Sequence, residues 1–263
     1  MRACIVIPAR YASSRYPGKP LVPLRGATGQ ARSLLERSVA AARATGLPVF
    51  VATDDARIAA EAERVGAPVI LTSDTCRNGT ERVAEAVERA GISADVVVNL
   101  QGDAPLTPPH FVPALMAALR DDPEAAMATP ALRCDARALA NLRADRAAGR
   151  VGGTTVVRDR RGRALYFSKE VLPFGGAAEG AGPVPVFHHV GLYAYRPEAL
   201  RRYALLPPGD LEQLEGLEQL RFLENAMPII APEVSAGAAE FWELNNPSDV
   251  ALIEAALARM NLP

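Results

Sequence analysis

The sequence has few cysteines, no excess of either charge and no long apolar run. Its three cysteines, Cys4, Cys76 and Cys134, are widely spaced and form no CxxC pair. This spacing excludes a disulfide framework and a cysteine zinc site, and it suits a reducing compartment. No segment approaches the roughly 20 apolar residues of a membrane span, and the start, MRACIVIPAR, is too short for a signal-peptide core. We therefore expect a cytoplasmic protein that does not contact membranes.

The charge balance limits the class of partner. Lys+Arg is 29 and Asp+Glu is 30, a net charge of -1. A protein that coats nucleic acid normally carries a basic excess, so no nucleic-acid partner is expected, although a local site for one small anion remains open. The P-loop pattern GxxxxGK[ST] and the dinucleotide pattern GxGxxG are both absent, which excludes those two nucleotide sites.

The first half of the chain alternates short apolar runs with helical patterns. The 263 residues are 49% hydrophobic and 22% charged, as in an ordinary globular protein. Strands are predicted at Ala3–Pro8, Pro48–Ala52, Pro68–Leu71 and Ala94–Leu100, and helices at Ser33–Ala44, Asp55–Val65 and Thr80–Ala90. Such alternation predicts an α/β fold with a mixed, mostly parallel central sheet and helices on both faces.

The second half is richer in strands. They are predicted at Met127–Leu132, Gly153–Val157, Ala164–Ser168 and His188–Tyr195, and an exposed loop at Gly175–Pro185; the helices are predicted at Pro197–Leu205, Leu211–Glu224 and Pro247–Met260. No linker-like boundary separates the halves. We expect one domain over residues 1–263, with residues 145–200 as a β-rich excursion that serves substrate and subunit contacts.

The loop after the first strand contains small residues and three cations. It reads PARYASSRYPGKPL from Pro8 and includes Arg10, Arg15 and Lys19. Ligands of open α/β sheets bind at the carboxyl ends of strands, and small residues with cations suit a triphosphate. A solvated basic turn is the alternative at this point.

Acidic and polar residues follow the other strands. Asp103 leaves the fourth strand in a Gly turn, where it could hold Mg²⁺ or cap the turn. Asp54 follows the second strand, while Asp55 is an expected helix N-cap. Thr80 is expected to cap the next helix, near Arg82, a candidate ligand residue.

Two groups of polar residues in the second half of the chain are also candidates for ligand binding. Glu212, Glu215, Glu218 and Gln219 fall near one face of the predicted helix Leu211–Glu224, where either solvent or a hydroxyl-rich or cationic ligand would compensate the carboxylates. His188 and His189 point to opposite faces of a strand, which favours a sugar hydrogen bond or a core histidine over a zinc site.

Eight segments together resemble the CMP-Kdo synthetases, the 3-deoxy-manno-octulosonate cytidylyltransferases. In family order these are IPARYASSRYPGKPL, VATDD, NGTERVAEAV, VVVNLQGDAPL, MATPA, ALYFSK, HHVGLYAYR and LEQLEGLEQLRFLEN. The resemblance implies a nucleotide-diphospho-sugar transferase-like fold and a homodimer in contact through the β-rich excursion. It also implies transfer of CMP from CTP to the anomeric hydroxyl of a 3-deoxy-ulosonic acid, with Mg²⁺ as cofactor and pyrophosphate as product.

The resemblance also assigns residues. The catalytic residues would be Arg10, Lys19 and Asp103, and the metal ligands Asp103 and Asn245. The nucleotide would be bound by Pro8, Ala9, Arg10, Ser13, Ser14, Arg15, Lys19, Thr53, Asp54, Asn78, Gly79 and Arg82. The sugar acid would be bound by Gln101, Tyr166, His189, Glu212, Glu215 and Gln219.

Several positions depart from the family pattern. Ala104 replaces the glutamate of QGDEP, Asn245 replaces a metal-binding aspartate, and Thr155 replaces a lysine. Lys169 stands for the arginine of FSR, and Gly26–Arg32 replaces the GKPM stretch. These departures suggest a different acid, such as an amino-ulosonate, while drift within the Kdo enzymes is the alternative. A nonulosonate, or a catalytically weak nucleotide-binding homologue, also stays open.

Overall fold

A computed structural model of the chain describes residues 1–13, 16–151, 153–175, 185–237 and 243–263. In chain order the strands are β1 Ala3–Pro8, β2 Pro23–Arg25, β3 Ala31–Ser33, β4 Val49–Thr53, β5 Val69–Leu71, β6 Val96–Leu100, β7 Met127–Ala128, β8 Ala131–Arg133, β9 Thr154–Arg158, β10 Ala164–Ser168, β11 Phe187–His189, β12 Leu192–Tyr195, β13 Ile229–Ile230 and β14 Glu233–Val234. The helices are α1 Leu34–Arg43, α2 Ala56–Arg64, α3 Gly79–Arg89, α4 Phe111–Asp121, α5 Ala136–Ala147, α6 Pro197–Leu205, α7 Asp210–Glu215, α8 Leu220–Glu224 and α9 Asp249–Arg259, and a short 3₁₀ helix covers Lys19–Leu21.

The chain divides into two compact units. The first comprises Met1–Val112 and Ala236–Pro263, and the second comprises Pro113–Ser235. The second unit therefore includes the predicted β-rich excursion, residues 145–200, together with flanking helices. The expectation of one domain over residues 1–263 stays a prediction.

Four parallel strands form the sheet of the first unit. Their order is β6–β1–β4–β5, and β1 pairs with β6 from Ala3 to Val6 and with β4 from Ile5 to Pro8. All six residues of β1 and all five of β6 are buried, which is typical of parallel strands covered on both faces. Helices α1, α2 and α3 pack against these strands. Because the strands are parallel, β1 and β6 end at the same edge of the sheet.

The C-terminal helix α9 belongs to the first unit and closes a separate apolar cluster. This cluster comprises Leu24, Leu34, Leu106, Leu244, Ile253, Ala256 and Leu257. Leu106 follows β6 and Leu244 precedes α9. Their burial together brings the segment before α9 beside the loop that contains Asp103.

The second unit contains two sets of strands. In one, β7 pairs in parallel with β13 and antiparallel with β12. The other is a five-stranded sheet in the order β10–β9–β11–β8–β14, antiparallel except for the β8–β14 pair. The predicted α/β class with a mixed, mostly parallel central sheet and flanking helices is therefore confirmed.

Three of the predicted elements prove to be pairs. The predicted helix Leu211–Glu224 is two helices, α7 and α8, because Gly216 ends α7 in a left-handed conformation with φ 61°. The predicted strand Met127–Leu132 is divided into β7 and β8, and His188–Tyr195 into β11 and β12. Most of the predicted loop Gly175–Pro185 lies outside the described residues.

The helices α4 and α5, the β2–β3 hairpin, the two-residue strands β13 and β14 and the 3₁₀ helix were not predicted. Helix α5 buries only Leu139 and Leu142, so its sequence has no strong apolar stripe. Helix α4 is apolar over most of its length and contains Pro113 near its start, a residue that usually signals a break. The β2–β3 hairpin has three-residue strands, which are too short to give a pattern. Within the described residues, no helix is long and apolar enough to cross a membrane.

Candidate active site

The carboxyl end of β1 begins the candidate site in the first unit. The Ala9 N–H donates to the carbonyl of Ala52 at 2.9 Å, so Pro8 and Ala9 are held buried beside β4. Arg10 is exposed and has no hydrogen-bond or ion-pair partner within the described ranges. Ser13 is half-buried. The predicted residues Ser14 and Arg15 lie outside the described residues.

Tyr11, which was not among the predicted site residues, contacts the far end of this loop and the start of α2. Its carbonyl accepts the Gly18 N–H at 2.9 Å, and the Arg57 guanidinium lies 3.3 Å from the centre of its ring. A Cβ on Gly18 would lie 3.1 Å from the ring, and the φ of 71° there also requires glycine. In the sequence, only the position of this aromatic residue between Arg10 and Ala12 could have indicated that it belongs to the site.

Lys19 and Asp103 form an ion pair between the two strand ends. The Lys19 Nζ lies 2.6 Å from the Asp103 Oδ2, with side-chain exposures of 14% and 25%. Lys19 begins the 3₁₀ helix after β1, and Asp103 follows β6, so the pair joins segments 84 residues apart. Two predicted catalytic residues are thus in direct contact.

Close backbone packing brings the start of α3 to the same place. A Cβ on Gly79 would lie 3.0 Å from the Gln101 Nε2 and 3.4 Å from Pro8. A Cβ on Gly102 would lie 2.9 Å from the carbonyl oxygen of Pro8. Glycines at these positions therefore let the Gln101 side chain lie over the start of α3, beside the end of β1.

The cap of α3 differs from the prediction. The Asn78 side chain accepts the Glu81 N–H at 2.8 Å, so Asn78 is the N-cap. Thr80, predicted to be the cap, is a helical residue and is 1% exposed. Both are good capping residues, and Asn78 takes the role because it lies immediately before the first helical residue, Gly79. The predicted N-cap Asp55 is confirmed, since it accepts the Arg57 N–H at 2.9 Å.

Arg82 is buried beneath this region. Its Nη1 lies 3.1 Å from the Asp54 Oδ1 and donates to the Thr72 Oγ1 at 2.5 Å. Thr53 is fully buried, and its Oγ1 accepts the Asp55 N–H. The predicted nucleotide residues Thr53, Asp54 and Arg82 therefore lie together, with the charges of Arg82 and Asp54 paired with each other.

The segment before α9 lies against Asp103. The Leu244 N–H donates to the backbone carbonyl of Asp103 at 2.9 Å. Asn245 follows directly, and its Nδ2 lies 3.4 Å from the Glu243 Oε2. The Asp249 carboxylate accepts the backbone N–H of Asn245 at 2.8 Å and that of Asn246 at 2.7 Å. The two predicted metal residues are thus on adjoining segments.

In the second unit, Glu215 ties α7 to β10. Its carboxylate accepts the Ser168 Oγ–H at 2.6 Å, the Lys169 backbone N–H at 2.9 Å and the Tyr166 hydroxyl at 3.4 Å. Burial, and then the nearby Glu215 carboxylate, raise the pKa of Tyr166. Two predicted sugar residues, Tyr166 and Glu215, are therefore brought together.

A second buried group contains His189 and Gln219. The His189 Nε2 lies 2.9 Å from the Thr129 Oγ1, and the His189 ring contacts that of Tyr193. The Tyr193 hydroxyl donates to the Gln219 Oε1 at 3.5 Å. Gln219 is 2% exposed, and its Nε2 has no partner among the residues that the structure describes.

Glu212 is bound inside the second unit. Its two carboxylate oxygens each accept a hydrogen bond of 2.6 Å from Arg221, which is fully buried. Either solvent or a ligand was the expected compensating partner of this carboxylate. The structure supplies Arg221 instead, nine residues along the chain and beyond the break at Gly216.

Comparison with known proteins decides the family. The family profile described as Cytidylyltransferase matches residues 4–229. The chain is 42% identical over 261 residues to the 3-deoxy-manno-octulosonate cytidylyltransferase of Maricaulis maris, covering 98% of both chains. The chain belongs to the cytidylyltransferase family. It is thus a nucleotidyltransferase enzyme.

Two further similarities place this cytidylyltransferase more closely. It is 38% identical to the 8-amino-3,8-dideoxy-manno-octulosonate cytidylyltransferase of Shewanella pealeana, over 98% of this chain and 99% of that protein. A solved structure of CMP:2-keto-3-deoxy-manno-octonic acid synthetase complexed with CTP superposes with a TM-score of 0.81 at 34% identity, covering 99% of this chain and 100% of the other. The nucleotide-sugar transferase-like fold inferred from the resemblance is confirmed.

The donor atoms near Asp103 fit the divalent cation that such enzymes typically use. Asp103 and Glu243 offer carboxylates and Asn245 offers an amide oxygen, and all three are hard oxygen donors. Magnesium takes one or two protein carboxylates and completes its shell with phosphate oxygens and water. Within the described ranges no group of three or more His, Cys, Asp or Glu residues is placed to hold a metal.

The family departure at Thr155 has a structural role in this cytidylyltransferase. Thr155 is buried, and its Oγ1 donates to the carbonyl of Glu170 at 2.6 Å. The same oxygen accepts the Leu172 N–H at 3.3 Å. The side chain thus fastens the segment after β10 to β9, and it brings no charge to the unit. Ala104 is fully buried as well.

Protonation of His189 is expected to destabilise the enzyme in acid. Burial, and to a smaller extent the nearby His188, lowers the pKa of His189 to about 3. An unfolded histidine titrates near 6.5, so the unfolded chain binds one more proton as the pH falls from about 6.5 towards 3. Stability is therefore full above pH 6.5 and falls below it, by about 1.4 kcal/mol per pH unit for this one group.

The measurement is urea unfolding of the enzyme between pH 7.5 and 4.5. His189→Gln should show a shallower loss of stability with falling pH than the parent chain, by close to one proton's slope. His110→Gln, a change at an exposed histidine, controls for the loss of a histidine. Identical pH slopes for His189→Gln and the parent would contradict the prediction.

Proposed function

We propose that this cytidylyltransferase transfers CMP from CTP to the anomeric hydroxyl of Kdo, or of a closely related 3-deoxy-ulosonic acid, and releases pyrophosphate. The observation that carries the proposal is the likeness over almost the whole chain to proteins named for this reaction. The Maricaulis maris relative is 42% identical over 98% of the chain. The contact between Lys19 and Asp103 supports it, because it places a cation and a carboxylate side by side where β1 and β6 end.

The first unit is proposed to bind CTP. Pro8 and Ala9, buried at the end of β1, and the half-buried Ser13 would line the nucleotide. Arg10, which is exposed and unpaired in the described residues, and Lys19 would balance the phosphate charge, together with Arg15 from the sequence pattern. Asn78 and Gly79 at the start of α3 would add donors beside them.

The chemistry would be an in-line displacement at the α-phosphorus. The anomeric oxygen of the sugar acid forms the new P–O bond, and the bond from the α-phosphorus to the bridging oxygen of pyrophosphate breaks. The hydroxyl proton leaves to solvent or to a nearby base. Positioning and charge neutralisation dominate such a step. Asp103 and Asn245, with Glu243 beside them, would hold Mg²⁺, which when bound offsets charge on the phosphates.

The second unit is proposed to bind the sugar acid. Tyr166, His189, Glu215 and Gln219 carry the polar atoms, while Gln101, in the first unit, stays a predicted sugar residue. The unpartnered Nε2 of Gln219 supports this assignment, since a buried donor without a partner is costly unless a ligand accepts from it. Glu212 would act on the sugar only through the packing of α7, because Arg221 engages both of its oxygens.

A second candidate substrate is the 8-amino analogue of Kdo. The Shewanella pealeana relative is named for 8-amino-3,8-dideoxy-manno-octulosonate, and the neutral Thr155 and Asn245 remove one positive and one negative charge from the family pattern. Replacing one hydroxyl by an ammonium changes few contacts, so the two acids must be compared directly.

The test is pyrophosphate release with CTP, Mg²⁺ and each of three acids: Kdo, its 8-amino analogue and a nonulosonic acid. We expect the highest kcat/KM with one of the two octulosonates, and no release without Mg²⁺. A tenfold or larger preference for the 8-amino acid would assign the second candidate. Release only with the nonulosonic acid, or with none, would contradict the proposal and favour another acid or a catalytically weak nucleotide-binding protein.

We also propose a cytoplasmic homodimer with no nucleic-acid or membrane partner. The three cysteines are unpaired, as in a reducing compartment. In the β-rich excursion, Leu165 is 61% exposed and Phe174 is fully exposed, and a subunit contact would cover such side chains. A monomeric mass by sedimentation equilibrium at micromolar concentration would contradict the dimer.

A further inference from the structure

The chain uses lysine at only two positions. Lys19 and Lys169 are the two lysines among 29 basic residues, and the others are arginine. An arginine holds a carboxylate through a fixed, planar fork. A lysine ammonium is a compact charge on a flexible stem and exchanges partners more readily. One of the two lysines is the residue that contacts Asp103.

The backbones on both sides of this contact are held independently of it. The Lys19 N–H donates to the carbonyl of Tyr16 at 3.2 Å. The carbonyl of Asp103 accepts the Leu244 N–H at 2.9 Å, and the Ala104 N–H donates to the carbonyl of Gln101 at 3.2 Å. The ion pair can therefore open by side-chain rotation, without a change in the surrounding backbone.

The ion pair also occupies the carboxylate on which the proposed metal site depends. The Lys19 Nζ lies 2.6 Å from the Asp103 Oδ2, which is hydrogen-bond distance, and both side chains are partly buried. A divalent cation on the same carboxylate would lie within a few ångströms of the ammonium, where like charges repel strongly in a partly buried setting. Lys19 and a metal are thus competitors in the nucleotide-free chain.

We propose that Lys19 acts as a cation gate. It neutralises Asp103 in the free enzyme and leaves this carboxylate for the phosphates when a nucleoside triphosphate binds. A divalent cation therefore binds tightly at Asp103 only together with the nucleotide. This inference rests on the proposed function, and it adds a binding order and a positioning role for Lys19. The triphosphate makes the exchange favourable because its negative charge gives the ammonium a second partner.

The test measures Mn²⁺ binding to the full chain by electron paramagnetic resonance, with and without CTP and without any sugar acid. Lys19→Met removes the competing charge and keeps most of the length of the side chain. We expect this variant to bind Mn²⁺ roughly tenfold more tightly than the parent when CTP is absent. The parent should gain far more Mn²⁺ affinity from CTP than the variant does. Equal or weaker Mn²⁺ binding by Lys19→Met without CTP would overturn the gate.

Three further variants make the result specific. Lys169→Met, the matched change at the other lysine, should leave Mn²⁺ affinity unchanged, and a tenfold gain there would overturn the assignment to Lys19. Lys19→Gln serves if Lys19→Met does not fold. Asp103→Asn, measured with CTP present, tests the proposed metal site itself: unchanged Mn²⁺ binding in that variant would contradict the site. Loss of binding there, with no gain in Lys19→Met, would overturn the gate alone.

Discussion

Asp103→Asn is expected to lower the turnover number for pyrophosphate release by roughly 10³-fold or more, with the fold unchanged. The substitution keeps the size of the side chain and removes the charge that Lys19 contacts at 2.6 Å. The neutral amide is a weaker ligand for a hard cation, and the loop would lose the anionic group proposed to hold Mg²⁺. Turnover should therefore fall through the chemical step.

Stability should change little in this variant. The Asp103 backbone is held by the Leu244 N–H, which the substitution leaves in place. The ion pair with Lys19 is partly solvated, and such pairs contribute about 1 kcal/mol or less. Steady-state pyrophosphate release against Mg²⁺ concentration and a thermal unfolding curve measure the two effects separately.

Asp95→Asn is the matched control. Asp95 lies just before β6, at the opposite end of the strand that leads to Asp103, and it accepts the Arg2 N–H at 2.7 Å. Because the whole of β6 separates Asp95 from the candidate site, Asp95→Asn should retain the parent turnover number. Near-normal turnover in Asp103→Asn, at any Mg²⁺ concentration, would remove Asp103 from the metal site.

The strands that build the candidate site were predictable because burial leaves a strong local signal. The runs ACIVIP and VVVNL are short, apolar and rich in β-branched residues, and both are buried parallel strands in the structure. The helix starts at Ser33 and Asp55 were predictable for the same local reason, since each caps its own helix. Residues just after the carboxyl end of a parallel strand lie at the ligand edge of the sheet, so Asp103 and the loop after Pro8 could be proposed as a site.

Contacts between distant segments left no such signal. The ion pair between Lys19 and Asp103 joins residues 84 apart, and each alone is an ordinary turn residue. The place of Leu244 beside Asp103 depends on the apolar cluster around α9. Tertiary packing decides these contacts, so the sequence could assign Asn245 to the site only through resemblance.

The break in the predicted helix Leu211–Glu224 shows the same limit at short range. Leucines at 211, 214, 217 and 220 continue a helical spacing across Gly216, and the pattern alone predicts one helix. Gly216 instead adopts φ 61°, and the chain turns so that α8 places Arg221 against Glu212. A buried ion pair, invisible to periodicity, accompanies the break.

Arg221→Met is expected to lower the free energy of unfolding by about 3–5 kcal/mol. Arg221 has no exposed side-chain surface, and it donates two hydrogen bonds of 2.6 Å to Glu212. Its guanidinium also lies 4.2 Å from the centre of the Tyr203 ring. Methionine would fill part of the volume but would leave the Glu212 charge buried without a cation, and that uncompensated charge accounts for most of the expected loss.

Urea unfolding measures this loss of stability, and a variant that breaks a solvent-exposed ion pair is the control. Arg133→Met breaks the ion pair with Glu233, whose side chains are 36% and 43% exposed, and it should cost about 1 kcal/mol or less. Both variants remove one arginine from the second unit and replace it by the same residue. A loss of less than 1 kcal/mol in Arg221→Met would show that Glu212 reaches solvent or another partner.

A double variant separates two contributions to the loss of stability: the lost attraction between Arg221 and Glu212, and the cost of a buried Glu212 charge without a cation. In Glu212→Gln with Arg221→Met, no unpaired charge remains, so stability should recover by about 2 kcal/mol or more relative to Arg221→Met alone. If Glu212 acts on the sugar acid only by holding α7 in place, the double variant should also regain much of its KM for that acid. Recovered stability with no recovery of KM would mean instead that the Glu212 carboxylate itself contacts the substrate.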